Sequence, residues 1–306
     1  MNPFADPLFT LEVLVGGLLS GIMYSLVALG FVLIFKASGV FNFAQGAMVL
    51  LAALTFVRLL EILGSGAPGD AMFWIAMVIT LAVMLGLALG IERLVLRPLV
   101  NQPAITLFMA TIGLTFFIEG LAQGVWGSQV HRLNIGISEL PIEVGGMLIS
   151  QFDLVAAFMA AALVTGLAVF FNRTRIGRAL RAVADDHQAA LSVGIPLQHI
   201  WFIVWAVAGI VALFAGLMWG SRLGVQFSLS LVALKALPVL ILGGFTSVPG
   251  AIVGGLIIGG SEKLAEVFIG PLMGGAIENW FPYVLATAFL LFRPQGLFGE
   301  RIIERV

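Results

Sequence analysis

Residues 13–35 read VLVGGLLSGIMYSLVALGFVLIF, a run of 23 residues without a charged side chain. As an α-helix this run would be about 34 Å long, enough to cross the ~30 Å hydrocarbon core of a bilayer. No Lys or Arg precedes it, whereas a secretory signal peptide carries a basic region ahead of its apolar core. The run therefore predicts a membrane-spanning helix rather than an ordinary secretory signal.

The composition of the whole chain points to the same environment. Of 306 residues, 60% are hydrophobic, and 15 basic plus 16 acidic residues bring the charged share to only 10%. Soluble globular proteins carry about 25% charged residues, and the mean hydropathy here is +1.11. The chain is predicted to be an integral membrane protein that lies in the lipid bilayer, which excludes a disordered protein and a nucleic-acid binder.

The residues offer little for covalent or metal chemistry. Cysteine is absent, and the histidines at 131, 187 and 199 are far apart in the sequence, so no metal site and no cofactor are expected. Asp185-Asp186-His187 is the nearest approach to a catalytic set, but adjacent helical residues do not face each other. The chain is therefore predicted not to be an enzyme and to have no catalytic residues.

Charge-poor stretches recur along the chain and are continuous rather than alternating. Continuous stretches indicate helices, whereas a membrane β-barrel requires alternation. Residues 1–306 are predicted to form a single all-α transmembrane domain, a polytopic helix bundle of about eight membrane segments. The predicted segments are Val13–Phe35, Ala37–Val57, Ala71–Ile91, Pro103–Trp126, Phe152–Phe171, Ile200–Gly220, Leu237–Gly260 and Trp280–Phe292.

Basic residues predict the orientation. With the N-terminus outside and the C-terminus cytoplasmic, ten of the fifteen basic residues fall on the cytoplasmic side, which is the usual positive-inside pattern. The predicted cytoplasmic set is Lys36, Arg93, Arg97, Arg173, Arg175, Arg178, Arg181, Arg293, Arg301 and Arg305, and the external set is Arg58, Arg132, Arg222, Lys235 and Lys263.

The segment Leu237–Gly260 decides whether this orientation is consistent, because eight single crossings would leave the C-terminus outside. Gly243, Gly244, Pro249 and Gly250 lie near its centre and can break a helix into two halves that enter the membrane and return. Such backbone is tolerated at membrane depth only where protein or a watery cavity satisfies it. The segment is predicted to be broken or re-entrant; the alternative is a kinked helix that spans once.

A few polar residues interrupt the apolar stretches. Asn42 and Gln45 need hydrogen-bond partners in hydrocarbon, and they could line a path or simply join helices. Glu119 is the one acid in an otherwise apolar run and so a functional candidate, although a hydrated or paired position near the outer interface would also suit it. With Thr115 and Thr246, these residues form the predicted substrate path.

Glycines four residues apart are frequent in the apolar stretches. Small residues at this spacing lie on one helix face and let two backbones approach closely. Tight helix packing is therefore predicted at Gly17/Gly21, Gly86/Gly90, Gly120/Gly124, Gly216/Gly220 and the ladder Gly250, Gly254, Gly255, Gly259.

Residues 172–199 form the predicted cytoplasmic segment richest in arginine. Read as a helix, it has an apolar face opposite a polar one. Arg181 and Asp185 are spaced to pair, and Gly194-Ile195-Pro196 would end the helix. Such a helix could lie on anionic lipid or dock into a groove of a soluble partner. Its apolar face comprises Ile176, Leu180, Val183, Ala190 and Leu191.

Four stretches, in order along nearly the whole chain, resemble bacterial branched-chain amino acid ABC importer permeases. They are Gly21–Gly30 (GIMYSLVALG) continuing to Phe41–Gly46 (FNFAQG); Gly177–Asp185 (GRALRAVAD) with Ala189-Ala190 and Ser192–Ile195 (SVGI); Leu242–Ala251 (LGGFTSVPGA); and Phe292–Phe298 (FRPQGLF). In length and number of segments the chain is similar to the shorter of the two permeases in such importers.

The resemblance implies a subunit of the bacterial plasma (inner) membrane. It would form a heterodimer with a second, homologous permease and work with two cytoplasmic ABC ATPases and an external, periplasmic substrate-binding protein. Substrates of the family are typically leucine, isoleucine and valine. The resemblance assigns ATPase coupling to Gly177, Arg178, Ala179, Arg181, Ala182, Asp185, Ala189, Gly194 and Ile195.

The sequence agrees with this division of labour, because it contains no Gly-x-x-x-x-Gly-Lys-Ser/Thr phosphate loop and should leave ATP hydrolysis to partner subunits. Two alternatives stay open. Relatives in the same importer class carry urea, amides or other amino acids. An ion-coupled secondary transporter would need intramembrane titratable groups, of which the apolar stretches offer little beyond Glu119.

Overall fold

The computed structural model describes residues 7–64, 70–99, 102–138, 140–185 and 187–299, the side chains of residues 185, 187 and 188 excepted. Most of this part of the chain is helical, which confirms the predicted all-α class. The exception is a β-hairpin whose strands, β1 (Pro141–Val144) and β2 (Met147–Ser150), pair in antiparallel register from Pro141 opposite Ser150 to Val144 opposite Met147.

Among the described residues, six helices are long and apolar enough to cross a membrane, and a further helix pair passes the same test but is bent by 112°. The helices are α1 (Pro7–Ser38), α2 (Gln45–Leu63), α3 (Ala71–Gly90), α4 (Ala104–Trp126), α5 (Gln151–Arg173), α6 (Arg175–Asp185), α7 (His187–Ser192), α8 (Leu197–Leu223), α9 (Val232–Lys235), α10 (Leu237–Gly243), α11 (Val248–Phe268), α12 (Gly270–Met273) and α13 (Phe281–Phe292).

The second and third predicted segments differ clearly from the helices observed. The stretch Ala37–Val57 is not one helix, because α1 runs on to Ser38 and α2 begins only at Gln45. Gly39, at φ +68°, starts the non-helical connection. The third segment is longer than predicted, since α3 continues as a π-helical turn and a 3₁₀ turn to Leu99.

The described chain divides into two compact units, formed by residues 1–28, 137–164 and 234–306, and by residues 29–136 and 165–233. In the second unit, α2 is the central helix: it is buried from Gln45 to Val57 and packs against α3, α4 and α8. The packing is close enough that a Cβ added to Gly216 of α8 would lie 2.7 Å from the carbonyl oxygen of Val49. The periphery of this unit, α3 and α4, is mostly exposed and apolar, as expected for surfaces that face lipid.

In the first unit, α1 packs against α11 through the predicted glycines. A Cβ on Gly17 would lie 2.7 Å from the carbonyl oxygen of Gly259, and one on Gly21 would collide with the carbonyl of Gly255. The pair Gly216/Gly220 of α8 in the second unit is also closely packed, since a Cβ on Gly220 would lie 2.9 Å from Cγ2 of Val225. By contrast, no described residue lies within 4 Å of a Cβ placed on Gly86, Gly90, Gly120 or Gly124. Tight packing within the described chain is thus confirmed for the α1–α11 glycines and for those of α8. It is wrong for those of α3 and α4, where Gly86, Gly120 and Gly124 are exposed.

The predicted break in Leu237–Gly260 is present. The ammonium of Lys235, just before α10, lies 3.5 Å from Oε1 of Glu262 in the second half of α11. Because the pair is bent by 112° and α10 packs against α11, the two helices form a helical hairpin.

Candidate functional site

The break between α1 and α2 places two amides in the interior of the second unit. Asn42 and Gln45 are both completely buried. The Oδ1 atom of Asn42 accepts a hydrogen bond from the backbone N–H of Ala44 at 3.0 Å, the turn that Asn side chains commonly form with the backbone two residues on. The Nε2 of Gln45 donates to the carbonyl oxygen of Ala208 at 3.4 Å. Two of the predicted path residues therefore lie at one turn.

Thr111 of α4 stabilises the same turn, although it was not predicted from the sequence. Its hydroxyl lies 3.2 Å from the carbonyl oxygen of Phe41 and 3.4 Å from the backbone nitrogen of Phe43. The side chain thereby satisfies backbone groups that no helix satisfies. The sequence feature that could have identified Thr111 is its position one helical turn before Thr115, which places both hydroxyls on the same face of α4.

Aromatic rings line up beside this turn. Phe31 and Phe41 stack with centroids 4.7 Å apart, Phe41 meets Phe43 edge-on at 4.9 Å, and Phe43 meets Phe108 edge-on at 5.3 Å. Offset and edge-to-face pairs are the favourable aromatic arrangements. The turn thus combines buried amides with an apolar wall.

The other predicted path residues lie elsewhere. Thr115 is half-buried, and its hydroxyl donates to the carbonyl of Thr111 at 2.9 Å within α4. Glu119, also half-buried, is one further turn along α4. Thr246 is half-buried in the bend of the first unit. The structure places Asn42 and Gln45 at one turn, and the substrate-path role of all five residues stays a prediction.

The bend between α10 and α11 depends on close backbone contact. A Cβ on Gly243 would collide with the carbonyl of Gly250, and one on Gly250 with the carbonyl of Gly243. Gly244, at φ +103°, adopts a backbone conformation that other residues rarely reach. Pro249 lies in the first turn of α11, where its missing N–H costs nothing.

The C-terminal segment completes this bend. The backbone N–H of Leu297 donates to the carbonyl of Leu242 at 2.8 Å, and that of Phe298 donates to the carbonyl of Gly243 at 3.1 Å. At the other side of the bend, Ser247 caps α11 by accepting from the N–H of Gly250 at 3.0 Å. The carbonyls exposed by the break are therefore satisfied by protein, as backbone at membrane depth requires.

The segment 172–199 forms two helices, α6 and α7. Thr174 caps α6 by accepting from the N–H of Gly177 at 3.2 Å, and Gly177 is packed so tightly on the backbone of Phe171 that a Cβ would collide with it. Arg181 donates to the carbonyl of Phe171 at 3.0 Å, at the end of α5, where cations are favoured. The predicted partner of Arg181, the side chain of Asp185, lies outside the described part of the chain.

Burial confirms the amphipathic interpretation in part. Leu180, Val183 and Ala190 are buried, but Leu191 is 52% exposed. The prediction for Leu191 is wrong because α7 is a separate helix and does not continue the periodic face of α6. Among the predicted coupling residues, Arg178, Ala189 and Gly194 are exposed, Ala179, Arg181, Ala182 and Ile195 are half-buried, and Gly177 is buried.

A charged cluster in the first unit was not predicted. Glu262 is buried in α11, accepts from the hydroxyl of Tyr24 at 3.1 Å and pairs with Lys235, which also lies 4.0 Å from Glu278. Glu262 falls just past the end of the predicted segment, so its depth was not apparent. Among the described residues, no group of three His, Asp or Glu side chains could hold a metal ion.

Six helices long and apolar enough to cross a membrane, with a further pair bent by 112°, define the described part of the chain as a polytopic membrane protein. Residues 13–293 match the family described as branched-chain amino acid transport system / permease component, and the chain belongs to this family.

Several relatives match over nearly their whole length. The "High-affinity branched-chain amino acid transport system permease protein BraD" of Pseudomonas aeruginosa is 28% identical over 97% of this chain and 98% of its own. The corresponding protein LivH of Escherichia coli K12 is 25% identical over 98% of both chains. A "Probable branched-chain amino acid transport permease protein LivH" of Methanocaldococcus jannaschii is 26% identical over 94% of this chain and 92% of its own.

Proposed function

We propose that this chain is the membrane-spanning permease subunit of an ATP-driven importer for branched-chain amino acids. The observation that carries the proposal is the family match over residues 13–293, supported by full-length relatives whose names specify branched-chain amino acid transport. The partners are a second homologous permease, two cytoplasmic ATPases and an external binding protein. In the second unit, Asn42, Gln45, Thr115 and Glu119 are proposed as substrate-path residues, and Thr246 is proposed separately in the first unit.

Reconstitution of the importer tests this function. Proteoliposomes that contain the chain, the partner permease, the ATPases and the binding protein should accumulate radiolabelled leucine when ATP is supplied. The chain alone should not, because it has no phosphate loop and cannot extract energy from ATP by that motif. Uptake by the chain alone, or uptake driven by a proton gradient without ATP, would overturn the proposal.

The exposed part of α6 and α7 and the turn that follows are proposed as the docking surface for an ATPase. Leu191 and Val193 are 52% and 74% exposed, and Ala189 of α7 and Arg178 of α6 are also exposed. A mixed apolar and basic surface of this kind suits a protein groove. Gly177 and Arg181 act differently, because their contacts with Phe171 fix α6 on the end of α5.

Val193→Glu tests the docking surface. A charge at this exposed apolar position should leave folding intact but reduce capture of the ATPases and ATP-driven uptake by at least about tenfold, as loss of an interface anchor does. Val130→Glu is the matched control, since Val130 is 64% exposed and is predicted to lie outside the cell. Normal ATPase capture by Val193→Glu would contradict the assignment.

A further inference from the structure

The two buried amides at the start of α2 retain one unsatisfied donor and one unsatisfied acceptor. Nδ2 of Asn42 and Oε1 of Gln45 have no hydrogen-bond partner among the described residues, although both side chains are completely buried. Leaving a buried polar atom unpaired costs about 1–3 kcal/mol. Because both unpaired atoms lie at the same turn, we infer that a ligand forms the missing hydrogen bonds in another conformation of the protein.

The orientation of each amide is fixed by its backbone partner. Because Oδ1 of Asn42 is engaged by the N–H of Ala44, the free atom of Asn42 is the donor. Because Nε2 of Gln45 donates to the carbonyl of Ala208, the free atom of Gln45 is the acceptor. The turn therefore offers a donor and an acceptor that cannot exchange roles without breaking these bonds.

The helix that starts here adds a positive partial charge. α2 begins at Gln45 and is 19 residues long. The N–H groups of Ala44 and Gln45 already donate to Oδ1 and the carbonyl oxygen of Asn42, so the helix contributes its dipole rather than these two donors. The N-terminus of a helix favours a carboxylate. The amide donor of Asn42 lies at this end of the helix, immediately before its first residue.

We propose that this turn is a transient binding site for the charged end of an amino acid. The carboxylate of the substrate accepts from Nδ2 of Asn42 at the start of α2, and its ammonium donates to Oε1 of Gln45. This inference rests on the proposed function, and it adds to it the hydrogen-bonding role of each amide.

The rest of the site suits an apolar side chain. Phe41 and Phe43 flank Asn42 in sequence and belong to the aromatic row that includes Phe31 and Phe108. Neutral amides bind a zwitterion more weakly than ionised partners would, which allows release after each transport cycle. Both amides are fully buried here, so the site is closed in this conformation and opens in another.

Apolar replacements of similar size give the decisive test. In the complete reconstituted importer, Asn42→Leu and Gln45→Met should each lower ATP-driven leucine uptake by about tenfold or more, because a site that binds a polar group through hydrogen bonds discriminates strongly. The thermal unfolding temperature of the purified complex should change little, because two effects oppose each other. Each substitution removes one unpaired polar atom, but it also leaves one backbone partner, the N–H of Ala44 or the carbonyl of Ala208, without its hydrogen bond.

Thr80→Val is the matched control. Thr80 is also completely buried in the second unit, and its hydroxyl donates to the carbonyl of Ala76 within α3. This variant should transport normally. Unchanged uptake by Asn42→Leu and Gln45→Met, with wild-type transport intact, would overturn the binding site alone. Absence of transport by the wild-type complex would instead overturn the proposed function.

A second measurement does not depend on the variants. During turnover, the wild-type importer is illuminated in the presence of a diazirine analogue of leucine, and the attachment site is mapped by mass spectrometry. We expect the analogue to attach within residues 41–46, and we expect excess leucine to suppress this attachment. Attachment confined to other parts of the chain would contradict the proposal.

Discussion

At the scale of single residues, the absence of a side chain determines where helices meet. Gly21 and Gly255 place the backbones of α1 and α11 in direct contact, and Ser25 donates to the carbonyl of Gly21 at 2.9 Å beside them. Gly16 lies on the same helix as Gly21, yet no described residue is within 4 Å of a Cβ placed there. The two positions differ in tertiary surroundings rather than in local sequence.

This difference gives a prediction for α1. Gly21→Ala should lower the free energy of unfolding by about 1–3 kcal/mol, because the added methyl group meets backbone that cannot rotate away. Gly16→Ala should be neutral or slightly stabilising, since Ala favours a helix more than Gly does. Thermal unfolding of the detergent-solubilised variants measures both. Equal effects of the two substitutions would show that the α1–α11 contact is not close.

At the scale of elements, the hairpin of α10 and α11 is stabilised by a segment distant in the sequence. Leu297 and Phe298 donate to carbonyls of Leu242 and Gly243 that the end of α10 leaves exposed. The FRPQGLF stretch therefore has a structural explanation: it satisfies the backbone of the LGGFTSVPGA stretch. Gly296 allows the approach, because a Cβ there would lie 2.7 Å from the backbone nitrogen of Gly244.

Leu297→Pro tests this contact, because proline removes the N–H that donates to Leu242. The variant should unfold at a lower temperature and be cleaved faster by protease near the bend. Leu297→Ala is the control, as it shortens the side chain but keeps the donor. If the alanine variant is as unstable as the proline variant, side-chain packing rather than the backbone hydrogen bond stabilises the bend.

At the scale of the whole molecule, the number of membrane crossings determines which face each site occupies. Six single spans, a hairpin that returns to its starting side and α13 would take a chain that starts outside to a cytoplasmic C-terminus. We therefore expect α6 and α7 inside and the loop between α4 and β1 outside, in agreement with the distribution of basic residues.

The absence of cysteine makes this orientation directly measurable. Arg178→Cys and Ser138→Cys each introduce a single thiol at an exposed position. A membrane-impermeant maleimide should label Cys at 138 in intact cells with a permeabilised outer membrane, and Cys at 178 only in inverted vesicles. Labelling of position 178 in the intact cells would reverse the orientation and place the proposed docking surface on the wrong side.

The sequence by itself determined the properties that depend on local composition. The scarcity of charge required a membrane, continuous apolar runs required helices, and clustered Gly and Pro marked the break at residues 243–250. The amphipathic pattern of α6 likewise identified Leu180 and Val183 as buried.

Only the tertiary structure decided which faces of these helices meet. In a membrane, a lipid-facing surface is as apolar as a packed interior, so the pattern that separates core from surface in a soluble helix is weak. Glycine spacing therefore did not distinguish the packed face of α1 from the open faces of α3 and α4. The pairing of Lys235 with Glu262 and the contact of Thr111 with the turn at Asn42 join residues far apart in the sequence, and only the packed chain brings them together.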